Sequence, residues 1–363
     1  NLARINAICL TPVKNLYLVF VENEMNVKVE HKARAHARLS ASRTDRFMQC
    51  PGSYRLESLM PYEVAGEAAA IGTAIHELSE IILRGGSIPT GTDPDHLSMA
   101  QGYANFVNTL VENPRKKLIE VNLDEGLQSL HPALGGTADA VLVDGNHLHV
   151  IDLKTGRVAV DAEDNKQLLT YALGAMRQLK APNTIECTMH IYQPRVGHSK
   201  WTVSGNYLEL HGRRLQSAAE LALSGDAPTS PSVDACRYCK AKTICPSMRE
   251  KVQETARSDF KPDTTVTPEM LDNAALVAAW ADAVQSAAKE QLTNGKAIQG
   301  WTMRAGRKTK FWKDEALVME AFKDTPTAWE LKSPSAVLKL GVEVSEDLVG
   351  EKSAAPSLVK AKE

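Results

Sequence analysis

The chain has 363 residues, of which 24% are charged and 43% hydrophobic, with a formal net charge of −2. That length exceeds one average domain and suits one large domain plus an accessory region. The near-balanced charge excludes a polycation, so any nucleic acid must be gripped by local patches, and no apolar run reaches the length of a membrane span.

Residues 1–39 read as an N-terminal segment. Its apolar stretch Asn15–Val21 is bracketed by Lys14 and Glu22 and lacks a signal peptide's long apolar region and cleavage site, so an intracellular, cytoplasmic protein is expected. Ser40–Met48 has the pattern of a short helix ended by Cys50-Pro51, because proline discourages continuation. Glu67–Leu83 is a stronger helix: Ala68, Ile71, Ile75, Leu78 and Ile82 recur at helical spacing and Gly85-Gly86 stops it. A further helix is expected from about Leu97 to Glu112. The period then changes. Leu118–Leu123, Ala138–Val143 and His147–Leu153 read as strands, with Asp144-Gly145-Asn146 as a hairpin turn. Lys166–Leu179 is helical, Ile185–Tyr192 alternates as a strand, Trp201–Ser204 is a short strand beside it, and Leu208–Leu223 is an amphipathic helix.

Residues 40–257 thus form one core, and 258–266 read as a linker. Thr267-Pro268 opens a long alanine-rich helix, with Thr as N-cap and Pro in the first turn. Residues 258–363 are expected to be a mostly helical accessory region. Within it, Trp301, Arg304, Arg307, Lys308, Lys310, Phe311, Trp312 and Lys313 interleave cations with aromatics. Such a composition suits single-stranded nucleic acid. The preferred reading is plainer: an amphipathic strand with its aromatics in the core and its charges solvated.

Two groups of residues carry chemistry. Gly136-Thr-Ala-Asp139 opens one hairpin strand and Asp152-Leu-Lys154 ends the other. Residues two apart on a strand share a face, and the hairpin folds Asp139 towards Asp152. Two carboxylates and an ammonium in one small volume suit phosphodiester hydrolysis: the acids hold Mg²⁺ or Mn²⁺, and the lysine steadies developing charge or orients the nucleophile. The bland alternative is a pair of strand-end aspartates with a solvated lysine. His76, on the helix before the sheet, could add a metal ligand. Gln167 and Tyr171, at i and i+4 on the next helix, could cover the same site and touch a DNA backbone. Gly156 leaves room for a close approach.

The second group is Cys236-x2-Cys239-x5-Cys245-Pro246. Three thiols in ten residues indicate a bound metal, and Cys50, also followed by proline, is the natural fourth. An iron–sulfur cluster and a structural Zn²⁺ both remain open. Either would staple the N-terminal helix to the segment after the core. Cys9 and Cys187 read as ordinary free thiols.

Together these residues resemble the RecB-type branch of the PD-(D/E)XK nucleases, in particular the iron–sulfur-clasped branch of AddB-type helicase–nucleases and CRISPR-associated exonucleases. The matching order is Cys50, His76, Gly136 to Asp139, Asp152 to Lys154, Gln167 to Tyr171, then Cys236, Cys239 and Cys245, across roughly residues 40–250. Two departures stand out: no proline precedes the first aspartate, and the second acid is Asp where many nucleases carry Glu. The chain is also similar to a family of phage proteins that carry this core with a helical C-terminal extension. The resemblance implies an α/β, restriction-endonuclease-like fold, with a mixed central sheet flanked by helices. It further implies a [4Fe–4S] cluster on the four cysteines, Mg²⁺ or Mn²⁺ dependence, and exonuclease action on DNA favouring single-stranded ends, in phage-type DNA processing or recombination. No G-x-x-x-x-G-K-[ST] helicase signature occurs, so a helicase or recombination partner would supply unwinding. Two rival readings are a non-catalytic iron–sulfur DNA-binding or assembly protein with the same fold, and a zinc-stabilised hydrolase acting on another substrate.

Overall fold

The structure, a computed structural model, describes residues 37–61, 66–257, 265–324, 333, 334, 337, 344–353 and 357–360. Cys9 lies outside the described residues. Short elements lead in: β1 (Leu39–Ser40), a 3₁₀ turn at Ala41–Arg43, α1 (Thr44–Gln49) and α2 (Ser53–Ser58). The expected first helix is therefore split between a 3₁₀ turn and α1. Next come α3 (Glu67–Leu83) and α4 (Pro94–Leu110). The sequence places α3 at the same limits. It starts α4 late, because Asp93, whose side chain caps the N–H groups of Asp95 and His96, and Pro94 fix the true first turn.

The central sheet is mixed. It contains β2 (Lys116–Asn122), β4 (Thr137–Asp144), β5 (His147–Leu153), β6 (Glu186–Gln193) and β7 (Gly197–Ser204), in the order β2-β4-β5-β6-β7. Only the β5–β6 pair is parallel, because α6 (Lys166–Gln178) carries the chain back between those two strands. The β4–β5 turn is a tight hairpin, with Gly145 at φ 56°. Between β2 and β4 lie α5 (Asp124–Gln128) and β3 (Leu134–Gly135), which pairs in parallel with β1.

Alternation sends one set of strand residues to each face. Val141, Leu148, Val150, Met189 and Ile191 pack with α6 and with α7 (Gly205–Leu223) around Leu127, Leu168, Leu173 and Leu215. Cys187 is buried in this layer, as expected of an ordinary thiol. On the other face, Ala140, Leu142, Ile151 and Leu153 meet Ile75 and Leu78 of α3 and Tyr103 and Val107 of α4. That second face turns polar along β5–β7. His147, His149, His190 and His198 stack in a row there, with ring centroids 4.4, 5.4 and 5.3 Å apart in turn. A second close feature is glycine on glycine. A Cβ at Gly126 of α5 would fall on the carbonyl oxygen of Gly174 of α6, so these two helices meet backbone to backbone.

Beyond the core come α8 (Val233–Arg237), α9 (Pro246–Arg257) and α10 (Pro268–Thr293). The accessory region carries helix, as expected, in α10 and α11 (Glu315–Ala321). It also has four strands: β8 (Trp301–Arg304) pairs with β11 (Ser357–Lys360), and β9 (Lys308–Trp312) with β10 (Val349–Ser353), both antiparallel. The strand expected over the basic–aromatic segment is present, but its rings are not core. Trp301 is 40% exposed and Phe311 47%.

Candidate metal and phosphate centre

The site forms where β2, β4 and β5 end beneath α3. The β4–β5 register that sets Ala140 opposite Ile151 carries Asp139 to the level of Asp152. One carboxylate oxygen of Asp139, Oδ2, accepts the Leu153 N–H at 2.7 Å, while Oδ1 lies 3.3 Å from His76 Nδ1 on α3. A residue not singled out in the sequence joins them. Glu120 of β2 lies between Ile119, opposite Ala140, and Val121, opposite Ala138, so it faces Asp139 across the strands. Its backbone is left-handed, with φ 47°, a strained conformation for a non-glycine residue that clusters at functional sites.

His76, Glu120 and Asp139 bring one ligand atom each to within 4.8 Å of one another. Like charges directly opposite on neighbouring strands are unfavourable, and this pair gathers positive charge around it. Burial opposes protonation of His76, but the hydrogen bond it donates to Asp139 and the charges of Asp139, Asp152 and Glu120 push its imidazole up to about 9. A proton on His76 thus stands where a cation would serve.

Behind this trio sits a second, drier group. Asp152 is 3% exposed. Its Oδ1 accepts from Gln167 Nε2 at 3.1 Å, and Gln167 Oε1 accepts from Lys154 Nζ at 3.0 Å. Gln167 Nε2 also donates to the Tyr171 hydroxyl at 3.1 Å. Lys154 Nζ lies 2.8 Å from Asp152 Oδ2. That ion pair is the contact Oδ2 makes, while the buried hydroxyl of Tyr103 has no hydrogen-bond partner among the described residues. Burial raises the Asp152 carboxyl, against the pull of Lys154. Burial also works against the charge on Lys154, but Asp152 outweighs it and holds the ammonium above its ordinary range.

Every acid–base residue singled out in the sequence therefore converges here. Gln167 and Tyr171 do share a face of α6, but they turn inward: Gln167 bridges Asp152 and Lys154, and Tyr171 is buried. Gly156 borders open space.

The four cysteines also come together from distant parts of the chain. Cys50 ends α1, Cys236 lies in α8, and Cys239 and Cys245 flank the turn that follows. Cys50 feels the charge of Cys245, and Cys236 that of both Cys50 and Cys245. Burial pushes the Cys50 and Cys236 thiols up, and that of Cys239 up to about 11. The two segments are sewn together by backbone. Gly52 N–H donates to Pro228 O at 2.8 Å, Ser230 N–H to Cys50 Sγ at 3.3 Å, and Lys240 N–H to Glu57 at 3.0 Å. Among the described residues, no three of these sulfurs lie within 4.8 Å of one another.

No helix among the described residues is long and apolar enough to cross a membrane. Two solved structures are similar at low level. One is of a protein described as a putative exonuclease from Eubacterium rectale, 10% identical, with 69% of this chain and 98% of that one covered at a TM-score of 0.37. The other is of SSO0001, 16% identical, with 58% and 85% covered at a TM-score of 0.30. A family model described as "Protein of unknown function (DUF2800)" matches residues 36–360. Across nearly its whole length, then, the chain is a member of the DUF2800 family.

Proposed function

We propose that this protein is a metal-dependent deoxyribonuclease of the RecB-type PD-(D/E)XK class, cutting phosphodiester bonds at the centre just described. The observation that carries the reading is the meeting of His76, Glu120 and Asp139 within 4.8 Å, beside a buried Asp152–Lys154 pair. His76, Glu120 and Asp139, with the neighbouring carboxylate of Asp152, would hold Mg²⁺ or Mn²⁺. A mixed nitrogen and oxygen set of this kind fits those ions. The bound ion supplies charge against phosphate oxygens and makes water a better nucleophile.

The remaining work falls to the chain. Lys154 stays protonated beside Asp152 and presents positive charge to a phosphate in which negative charge develops. Gln167 grips both Asp152 and Lys154, which fixes the lysine's direction. Tyr171 in turn holds Gln167, and the Leu153 N–H orients Asp139. Preference for single-stranded ends and exonuclease action follow from the family resemblance.

The cysteine group fits a structural clasp. Tetrahedral zinc with Zn–S near 2.3 Å needs sulfurs about 3.8 Å apart. An iron–sulfur cluster held by Cys50, Cys236, Cys239 and Cys245 is the group that the family resemblance implies, with Zn²⁺ as the alternative. The test of the nuclease is direct. Labelled single- and double-stranded DNA is incubated with Mg²⁺ or Mn²⁺, beside Asp152→Ala and Lys154→Ala proteins. Cleavage by wild type that drops at least a hundredfold in both variants is expected. DNA left equally intact by all three proteins removes the proposal.

A further inference from the structure

The two short strand pairs of the accessory region are separate two-stranded sheets, together the ribbon. Arg304 faces Ser357 and Lys308 faces Ser353. Isolated two-stranded pairs are marginal by themselves, so these strands invite a partner.

Its composition says which partner. Residues 301–313 carry five lysines and arginines and no acid, and residues 349–360 carry two lysines and one glutamate. Residues 301–313 and 349–360 together are thus +6 in a chain of net −2, which leaves −8 on everything else. Arg304, Arg307 and Lys310 are exposed; Arg304 stands opposite Ser357, and Lys310 opposite Glu351, the one acid of the two strand pairs. Two rings punctuate this charge. Phe311 lies over Gly350, where a Cβ would sit 2.5 Å from the ring, and its outer surface is open. At the other end Trp301 lines a cleft of about 570 Å³ with Ile244, Val284, Ala288 and Ile298, room for a flat ring to enter and stack.

We infer that the strand pairs β8–β11 and β9–β10 form a binding track for single-stranded DNA, with Arg304, Arg307 and Lys310 on phosphates and Trp301 and Phe311 on bases. Cations with interspersed exposed rings are the pattern for unpaired strands, whose bases have free faces. A duplex keeps its bases stacked and would leave both rings idle. The choice of DNA rests on the nuclease reading above, yet it is tested apart from it.

The experiment measures fluorescence anisotropy of a labelled 20-nucleotide oligo-dT with the full chain in EDTA, where no divalent cation supports cleavage. Arg304→Ala/Arg307→Ala/Lys310→Ala is expected to bind at least tenfold more weakly than wild type. Its plot of log affinity against log salt should be shallower by about 2, at roughly 0.7 for each phosphate no longer neutralised. Trp301→Ala should weaken binding on the order of tenfold with the salt slope unchanged. A charge-matched control, Arg213→Ala/Arg249→Ala/Lys289→Ala, should bind like wild type. Three results would overturn the inference: wild type that does not bind, a ribbon triple indistinguishable from the control, or ribbon variants that turn a dimer into a monomer in sedimentation. That last result would mean the open edges join two copies of the chain. A protein that cuts DNA but whose ribbon variants bind normally loses only the ribbon. One that binds through the ribbon and never cuts loses only the nuclease.

Discussion

Replacing Lys154 with methionine keeps much of the side chain's bulk and removes its charge. The ammonium lies 2.8 Å from Asp152 Oδ2 and 3.0 Å from Gln167 Oε1, and Asp152 is 3% exposed. An anion left so buried costs several kcal/mol, but the carboxyl has an escape: it can take a proton. The cost of doing so is about 1.4 kcal/mol for each pH unit above the unfolded value of about 3.9. This caps the charge penalty at about 4 kcal/mol at pH 7 and about 1.5 kcal/mol at pH 5. The sign follows from the raised carboxyl. The folded variant binds a proton that the unfolded chain releases at neutral pH, so its deficit grows as pH rises and shrinks as pH falls. The lost hydrogen bond to Gln167 adds about 1 kcal/mol at both pH values. Urea unfolding followed by circular dichroism, without added divalent cation, should therefore show the variant less stable than wild type by about 4–5 kcal/mol at pH 7. The deficit should fall by about 2–3 kcal/mol at pH 5. A deficit under 1 kcal/mol at pH 7, or one that is the same at both pH values, would refute the assignment of Lys154 as the counter-charge of a buried carboxylate.

Glu120→Gln removes one acid of the facing pair and should weaken Mn²⁺ binding at least tenfold by calorimetry; unchanged affinity would take Glu120 out of the site. Cys50→Ser should strip the protein of iron and of visible absorption and lower its urea midpoint, whereas a colourless, zinc-containing wild type would contradict the cluster. Burial holds the imidazoles of His149, His190 and His211 neutral, lowering them to about 4, about 3 and about 4. These groups stabilise the fold fully above pH 6.5, and the contribution is lost as pH falls towards 4. At pH 5.5 unfolding should take up roughly 2.6 protons, read from the slope of stability against pH; a slope near zero would show that the histidines titrate normally in the fold.

The trio Asp139, Asp152 and Lys154 was legible in the sequence because a hairpin is local: its turn residues and the two-residue period fix which side chains meet. The limits of α3 were legible for a similar reason, since an apolar stripe and a glycine stop lie in one window. Glu120 was not. A single glutamate between Ile119 and Val121 carries no pattern, and it acquires a role only when β2 docks against β4 and sets it opposite Asp139. α5 was hidden because five residues show no period, and Leu123 reads as the end of a strand. The first half of β7, Gly197 to Lys200, was hidden by its polarity, since its outer position lets His198 and Lys200 stay partly in water. The C-terminal ribbon escaped because the partner of each strand lies about 40–60 residues away, and sequence windows do not register such pairings. The inward turn of Gln167 and Tyr171 is likewise a tertiary fact: helical spacing says they are neighbours, and only the packing of α6 on β5 says which way they look.

The contact between Gly126 and Gly174 gives α6 an unusual property. Helices that meet through side chains can accommodate a new methyl by shifting a rotamer, but two backbones in contact have no such slack. Gly174 lies seven residues, or about 10 Å of helix, from Gln167. A Cβ at Gly126 would fall on the Gly174 carbonyl and one at Gly174 on Leu127 and Leu123, so a larger residue at either forces α5 and α6 apart, and any movement of α6 is carried to its far end. Gln167 would then no longer reach Asp152 and Lys154 together. The alignment of the site is thus set in part by a place with no polar group at all. A lineage of this protein that lost either glycine would have to rebuild the grip on its lysine from another direction.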